Sequence, residues 1–310
     1  MKKVFTWQTA TVMVNNELVI ESLMHRLRSK ARDYYILTKP EVNLLILMTT
    51  SAGYYLGLRA PFRPTALLST LIGTLLVASG TATLNQWIER AWDARMRRTA
   101  NRPLPSGRVS SREALLFGVL LSVMGGVYLA VLVNPLSSLL AISTLLSYLL
   151  IYTPLKRRSP LCTLLGAFPG AMPTLIGWAG ASGMISFQAT FLFAVLFLWQ
   201  FPHFLAIALI YREDYERAGY RMLPGFDLEG RFTRAEIVGF TILLVLITVW
   251  PTFAHASVAS GAAMALAGFV FLHHSIRLAI TNSKVAASRL LHASVMYLPI
   301  VLGILALGKN

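Results

Sequence analysis

Long apolar runs alternate with short polar segments along the whole chain. A helix needs ~20 apolar residues to cross the hydrocarbon core of a bilayer, and nine stretches come close to that length: 42–59, 65–88, 113–133, 135–153, 161–181, 187–211, 235–254, 258–277 and 288–307. No strand-like alternation competes with them over useful lengths. The pattern predicts an all-α integral membrane protein of nine transmembrane helices. Ahead of the first span, from about Glu17 to Leu37, apolar residues recur at helical spacing with Arg26, Arg28, Lys30 and Arg32 between them. That suits an amphipathic helix lying on an anionic membrane surface. Two units follow: an N-terminal cytoplasmic extension, residues 1–35, and a nine-helix domain, residues 36–310. The apolar part of the extension is broken by Gln8, Asn15, Asn16 and Glu17, and no small-residue cleavage site follows, so no signal peptide is expected.

Charge gives the topology. Of the 28 Lys and Arg residues, all but Arg59, Arg63 and Lys309 fall on one side when nine spans are threaded through a membrane. Basic loops stay inside, so that side is cytoplasmic, with the N-terminus there and the C-terminus opposite. Adding or removing one internal span would scramble the split. Composition agrees, at 55% hydrophobic, 13% charged and a mean hydropathy of +0.61. The net charge of +15 therefore reflects topology, and no nucleic-acid partner is expected. The single cysteine, Cys162, has no partner for an internal disulfide and reads as a small hydrophobe.

The opposite-side loops are short, so polar chemistry concentrates at the cytoplasmic edge. The densest stretch, "NQWIERAWDARMRRTANRPL" at 85–104, begins inside the second span. Asn85, Glu89 and Asp93 are spaced i, i+4, i+8 and share one helix face. The stripe is ~12 Å long, too long for one ion to take all three; two ions, or ions bridged by a polyanion, fit better. Hard oxygen donors favour Mg²⁺, which substrate phosphates commonly complete. Arg98 and Arg102 lie beyond, where they could clamp phosphate oxygens. A plain charged helix end, with Glu89 paired to a neighbouring arginine, is the alternative. Asn85 argues against it, because a polar group a full turn inside an apolar run is costly unless used. The sixth span also runs into a loop with acidic residues and arginines, and it is parallel to the second. A weak parallel repeat would set the two acidic ends across a central cavity that opens to the cytoplasm.

An Asn followed by carboxylates at four-residue spacing, ending the second of nine helices, resembles the first aspartate-rich motif of the UbiA superfamily of intramembrane prenyltransferases, with Glu at the middle position. The continuation Met96-x-Arg98-Thr99-x-x-Arg102-Pro103-Leu104 is similar to one branch of that superfamily, which farnesylates haem. The resemblance runs from "LTKP" at 37–40 to the ninth span. It implies transfer of a farnesyl group from farnesyl diphosphate to a vinyl group of protohaem IX (haem B), giving haem O, in a bacterial inner membrane. The bilayer and a downstream haem-modifying enzyme are further candidate partners. Two alternatives remain: a relative with an aromatic, quinone-precursor acceptor, and a transporter. Transporters place their charges near the bilayer midplane, whereas these lie at its edge.

The resemblance also implies residue roles. Mg²⁺ would sit on Asn85, Glu89, Asp93 and Asp214, the last matching the carboxylate five residues before Gly219; the superfamily's usual earlier Asp is here Ile210. Lys39 in "ILTKP", Arg98, Arg102, Lys156 and Arg157 in "YTPLKRRSP", and Arg212 would bind diphosphate. Tyr152 would face the prenyl cation. In "LWQFPHF" the branch-specific Trp199, Gln200 and His203 would contact haem; a hydrogen-bonded core histidine is the plainer reading of His203. The stretch "GAFPGAMPTLIGWAG" at 166–180 combines small residues and prolines, which permit close, bent helix packing. His273 and His274, being adjacent, point to different helix faces and do not suggest a paired metal site.

Overall fold

The computed structural model describes residues 21–227, 229–255 and 258–309, with side chains omitted for 250–255. Among the described residues twelve helices follow one another: α1 (21–37), α2 (Pro40–Gly57), α3 (Pro64–Asp93) and α4 (Ser111–Leu132), then α5 (Pro135–Leu155). After these come α6 (Cys162–Ser182), α7 (Phe187–Ile210), the short α8 (Arg212–Arg217) and α9 (Leu223–Phe226), α10 (Arg231–His255), α11 (Val258–Thr281) and α12 (Lys284–Leu307). Strands are absent among the described residues.

Among the described residues, eight helices are long and apolar enough to cross a membrane: α3, α4, α5, α6, α7, α10, α11 and α12. Helix α2 stands where the first span is expected, but it has 18 residues and carries buried Asn43, Thr49, Thr50 and Tyr54. Its polar and small residues, Glu41, Asn43, Thr49, Thr50 and Ser51 among them, lower its hydropathy. The chain is a multi-pass membrane protein. The large side chains left on the surface, such as Leu44, Val131 and Leu150, form the lipid-facing coat that this environment requires.

Local sequence sets the helix starts. Ser110 and Glu113 close a reciprocal capping box on α4. Asn134, Ser186 and Ser283 each accept a hydrogen bond from a first-turn amide of α5, α7 and α12. Prolines begin α2, α3 and α5, where the missing N–H costs nothing.

Helices adjacent in sequence pack side by side from α2 to α7; α7 also meets α10 and α12, and α12 closes back onto α2. The tightest crossing is α2 on α6. A Cβ on Gly53 would strike the Thr174 carbonyl, and one on Gly177 the Thr50 carbonyl. Small residues bring these backbones together, as the "GAFPGAMPTLIGWAG" stretch suggests.

Two departures from regular single spans shape the site. Helix α3 runs unbroken to Asp93, five residues past the expected end, so Asn85, Glu89 and Asp93 ride on one rigid element. Helix α5 carries a π-turn, Tyr148–Tyr152, just before its last residues, and the two tyrosine rings lie 4.9 Å apart. Of the predicted surface helix, residues 21–37 are helical; the earlier part lies outside the described residues. Helix α1 is pinned to the start of α4 by Asp33–Arg108 at 2.9 Å and Lys30–Glu113 at 2.9 Å, while Leu23, Met24 and Leu27 stay exposed.

Candidate active site

The expected helix face is realised as a ladder. Asn85, Glu89 and Asp93 are all buried, and each meets a different basic side chain. Asn85 Oδ1 accepts from Lys39 Nζ at 2.8 Å. Glu89 Oε1 meets Lys156 Nζ at 2.7 Å. Asp93 Oδ2 meets Arg102 Nη1 at 2.8 Å. A buried carboxylate without a partner would cost several kcal/mol, so these pairs are what allow acidic groups at this depth. Asn85 also donates to Thr153 Oγ1 at 3.2 Å, and that hydroxyl donates to the Tyr148 carbonyl at 2.8 Å. Thr99 ties the end of α3 by donating to the Asp93 carbonyl at 2.7 Å.

These groups surround a cavity of ≈ 90 Å³ lined by Lys39, Asn85, Glu89, Asp93, Arg98, Thr99 and Arg102 on one side and Tyr148, Tyr152, Lys156, Tyr215 and Tyr220 on the other, with Met96 and Met222. Its walls are cationic and aromatic. Lys156 Nζ sits 4.5 Å from the centre of the Tyr152 ring. Arg98 lies between Tyr211 and Tyr215, 4.7 Å from each ring, and donates to the Tyr215 hydroxyl at 2.8 Å.

The electrostatics favour an anion. Burial, with Arg102 close by, brings the Lys39 ammonium down to about 7. Burial pulls Lys156 the same way, but the Glu89 charge together with the Tyr152, Tyr148 and Tyr220 hydroxyls outweighs it and holds Lys156 well above its ordinary range. Burial and the Glu89 charge push Tyr220 above the usual phenol range. An entering polyanion would favour the charged form of Lys39.

The donor set fits Mg²⁺ in type, being hard carboxamide and carboxylate oxygens beside cations able to complete a phosphate's charge. A preformed cluster of three or more acidic, His or Cys ligands is absent among the described residues. Asp214, expected as a fourth ligand, does not line the cavity. Its Oδ1 accepts the Arg97 amide at 3.2 Å and lies 3.3 Å from Arg217 Nη1. Of the expected diphosphate group, Lys39, Arg98, Arg102 and Lys156 line the cavity. Arg157 stacks over Trp92 at 4.0 Å, and Arg212 pairs with Glu216 at 2.7 Å.

The residues expected at haem lie deeper and make bonds within the protein. Trp199 Nε1 donates to the Ser294 carbonyl at 2.8 Å, and Gln200 Nε2 donates to the Ala167 carbonyl at 2.9 Å. His203 stacks on Trp199 with ring centres 4.4 Å apart, and its Nδ1 is 2.8 Å from the Ser294 hydroxyl. None of the three lines the cavity. The residues that sequence reasoning missed are Tyr148, Tyr215, Tyr220 and Met222; Met96 and Thr99 stand in the quoted motif without a predicted role at the site. Tyr148 had a signal, since it stands four residues before Tyr152 in the same apolar run.

The UbiA prenyltransferase family model matches residues 46–298. The chain is 46% identical over 288 residues to a protoheme IX farnesyltransferase of Solibacter usitatus, covering 90% of this chain and 99% of that one. A second protoheme IX farnesyltransferase, of Koribacter versatilis, is 42% identical and covers 91% and 94%. Among solved structures, a UbiA homolog from Archaeoglobus fulgidus bound to GPP and Mg²⁺ superposes with a TM-score of 0.63 at 13% identity, covering 88% of this chain and 99% of that one. With its family model covering most of the chain and its buried cationic and acidic ladder at the helix ends, the chain belongs to the UbiA prenyltransferase family.

Proposed function

We propose that the chain transfers the farnesyl group of farnesyl diphosphate to a vinyl group of protohaem IX, giving haem O. The observation that carries this reading is the ladder on α3, in which three oxygen donors are each held by a separate cation around one cavity. The relatives' name supplies the two substrates. The cavity matches a diphosphate head in charge, and the prenyl chain and haem would lie beyond it among the helices.

Asn85, Glu89 and Asp93 are the residues that would hold Mg²⁺. Bound there, Mg²⁺ would supply Lewis-acid neutralisation of the diphosphate. Lys39, Lys156 and Arg102 would turn from their α3 partners to the diphosphate oxygens, with Arg98 reaching them from the loop. Breaking the C–O bond leaves the electron pair on the diphosphate and an allylic cation on the farnesyl chain. Tyr152 and Tyr148 present ring faces to that cation. Attack by the vinyl carbon forms the C–C bond, water adds to the resulting carbocation, and its proton passes to solvent. His203 would contact haem from α7, with Trp199 and Gln200 fixing that stretch through backbone carbonyls. Asp214 would hold the second loop against the first. The helices cross a bacterial inner membrane with the N-terminus cytoplasmic and the C-terminus opposite, and α1 rests on the inner leaflet.

The test is direct. Membranes containing the protein, given haem B, farnesyl diphosphate and Mg²⁺, should form haem O detectable by mass. Product from an aromatic acceptor and none from haem would overturn the reading.

A further inference from the structure

Lys39 has an unusual backbone. Its φ of 52° and ψ of 65° put it in the left-handed region, and the only other non-glycine residue with positive φ among those described is Asn282. For a lysine this conformation carries a steric cost that glycine does not pay, so neighbouring contacts must impose it. Lys39 is both the residue that ends the α1 turn and the residue that starts α2. Its amide donates to the Ile36 carbonyl at 3.2 Å, and its own carbonyl accepts from Val42 and Asn43 at 3.1 Å each.

At a helix end the last carbonyls lack partners, and a glycine commonly follows to close them. Here side chains close them instead. Gln86 Nε2 donates to the Leu37 carbonyl at 2.8 Å, and Asn43 Nδ2 donates to the Thr38 carbonyl at 2.9 Å. Gln86 is the residue after Asn85, ~100° around α3. One turn of α3 therefore presents the oxygen that receives Lys39 Nζ and also grips the backbone that carries Lys39. Gln86 is 1% exposed, and its Oε1 has no hydrogen-bond partner. A buried unpaired acceptor is a net cost, so stability alone does not account for a glutamine there.

We propose that Gln86 is a positioning residue for diphosphate binding: through the Leu37 carbonyl it holds Lys39 in its left-handed conformation, aimed at the substrate. This rests on the reading of Lys39 as a diphosphate-binding residue.

A double-mutant cycle in the full-length protein tests it, with KM and kcat measured for farnesyl diphosphate at saturating haem. Gln86→Met should raise KM about fivefold to tenfold with kcat changed by less than about twofold. In a Lys39→Ala background, which itself raises KM, the same change should add nothing further. Lys39→Gly should melt at a higher temperature than Lys39→Ala, since it relieves the strained residue, while raising KM as Lys39→Ala does. If Gln86→Met does not yield folded protein, Gln86→Leu also removes the donor without adding a charge and should behave the same way. Additive effects of the two changes on KM would overturn the proposal and leave Lys39 at the diphosphate. A Lys39→Ala enzyme with unchanged KM would overturn both.

Discussion

Two segments face each other across the cavity, and they are built differently. Residues 85–104 bring oxygen donors on a rigid helix, each matched to a cation from another element. Residues 211–222 bring aromatic rings and the thioether of Met222, and their one buried carboxylate, Asp214, is spent on the Arg97 amide and on Arg217. A further bond ties the second segment down, with the Arg221 amide donating to the Lys156 carbonyl at 2.7 Å. Under the proposed function the first segment would be a binding wall and the second a cover. Parallel placement of two acidic helix ends does not make them chemically equivalent. What separates them is whether the carboxylates point inward from a continuous helix or lie in a short helix whose turns are used to hold a loop.

The strongest way to break this comparison is to neutralise a carboxylate on each side. Asp93→Ala should lower prenyl transfer at least about 10³-fold, as loss of a group acting on developing charge does. Asp214→Asn should cost about tenfold, through loosening of the cover. The checks are haem O formation by mass and size-exclusion profiles that establish folding. Equal losses on the two sides would make the second segment a ligand wall as well. Chelation of divalent metal should abolish activity to the same degree as Asp93→Ala, with Mg²⁺ restoring it.

Next in size is the buried pair Lys156–Glu89. Lys156→Met leaves the Glu89 carboxylate without its partner, which should destabilise the protein by about 3–5 kcal/mol. Adding Glu89→Gln should recover most of that stability without recovering activity. The measurement is thermal unfolding of both variants alongside turnover. Recovery of activity as well would mean that the pair is structural, and the binding wall would shrink to Asn85 and Asp93.

Much of the binding wall is legible in the chain, and little of the cover is. Asn85, Glu89 and Asp93 announce themselves because helical spacing converts directly into a shared face, and because a polar residue inside an apolar run stands out. The apolar runs locate helices such as 113–133 against the observed Ser111–Leu132, since hydrocarbon thickness sets their length. Tyr215 and Tyr220 carry no such pattern. Their positions depend on how a short helix and a turn at Gly219 (φ 74°) fold over a site made by a distant segment. The partner of each ladder oxygen is equally hidden, because Lys39, Lys156 and Arg102 arrive from three different places in the chain. The left-handed Lys39 is invisible too, since nothing local in "ILTKP" requires it; the grip comes from α3.

A smaller effect sharpens how the two segments are joined. Arg98 leaves the first segment and lies between two rings of the second. Arg98→Ala should raise KM for farnesyl diphosphate about tenfold by removing both a phosphate donor and the contact that seats the cover. Arg98→Lys should recover only part of this, because an ammonium cannot stack between two rings as a planar guanidinium does. Full recovery by lysine would reduce Arg98 to a point charge.

The smallest effect separates cover from catalyst at a single atom. The Tyr220 hydroxyl is buried and makes no hydrogen bond, a net cost in a folded protein. Tyr220→Phe removes only that oxygen and keeps the ring. If the second segment merely covers the site, the variant should melt about 2–4 °C higher, as release of one unpaired buried hydroxyl predicts, with KM for farnesyl diphosphate unchanged. If the hydroxyl instead waits for a diphosphate oxygen, stability should still rise but KM should increase about threefold to tenfold, and the second segment would share in binding. Stability and KM therefore answer different questions here. The first reports what the oxygen costs the empty fold, and the second reports whether the substrate is what satisfies it.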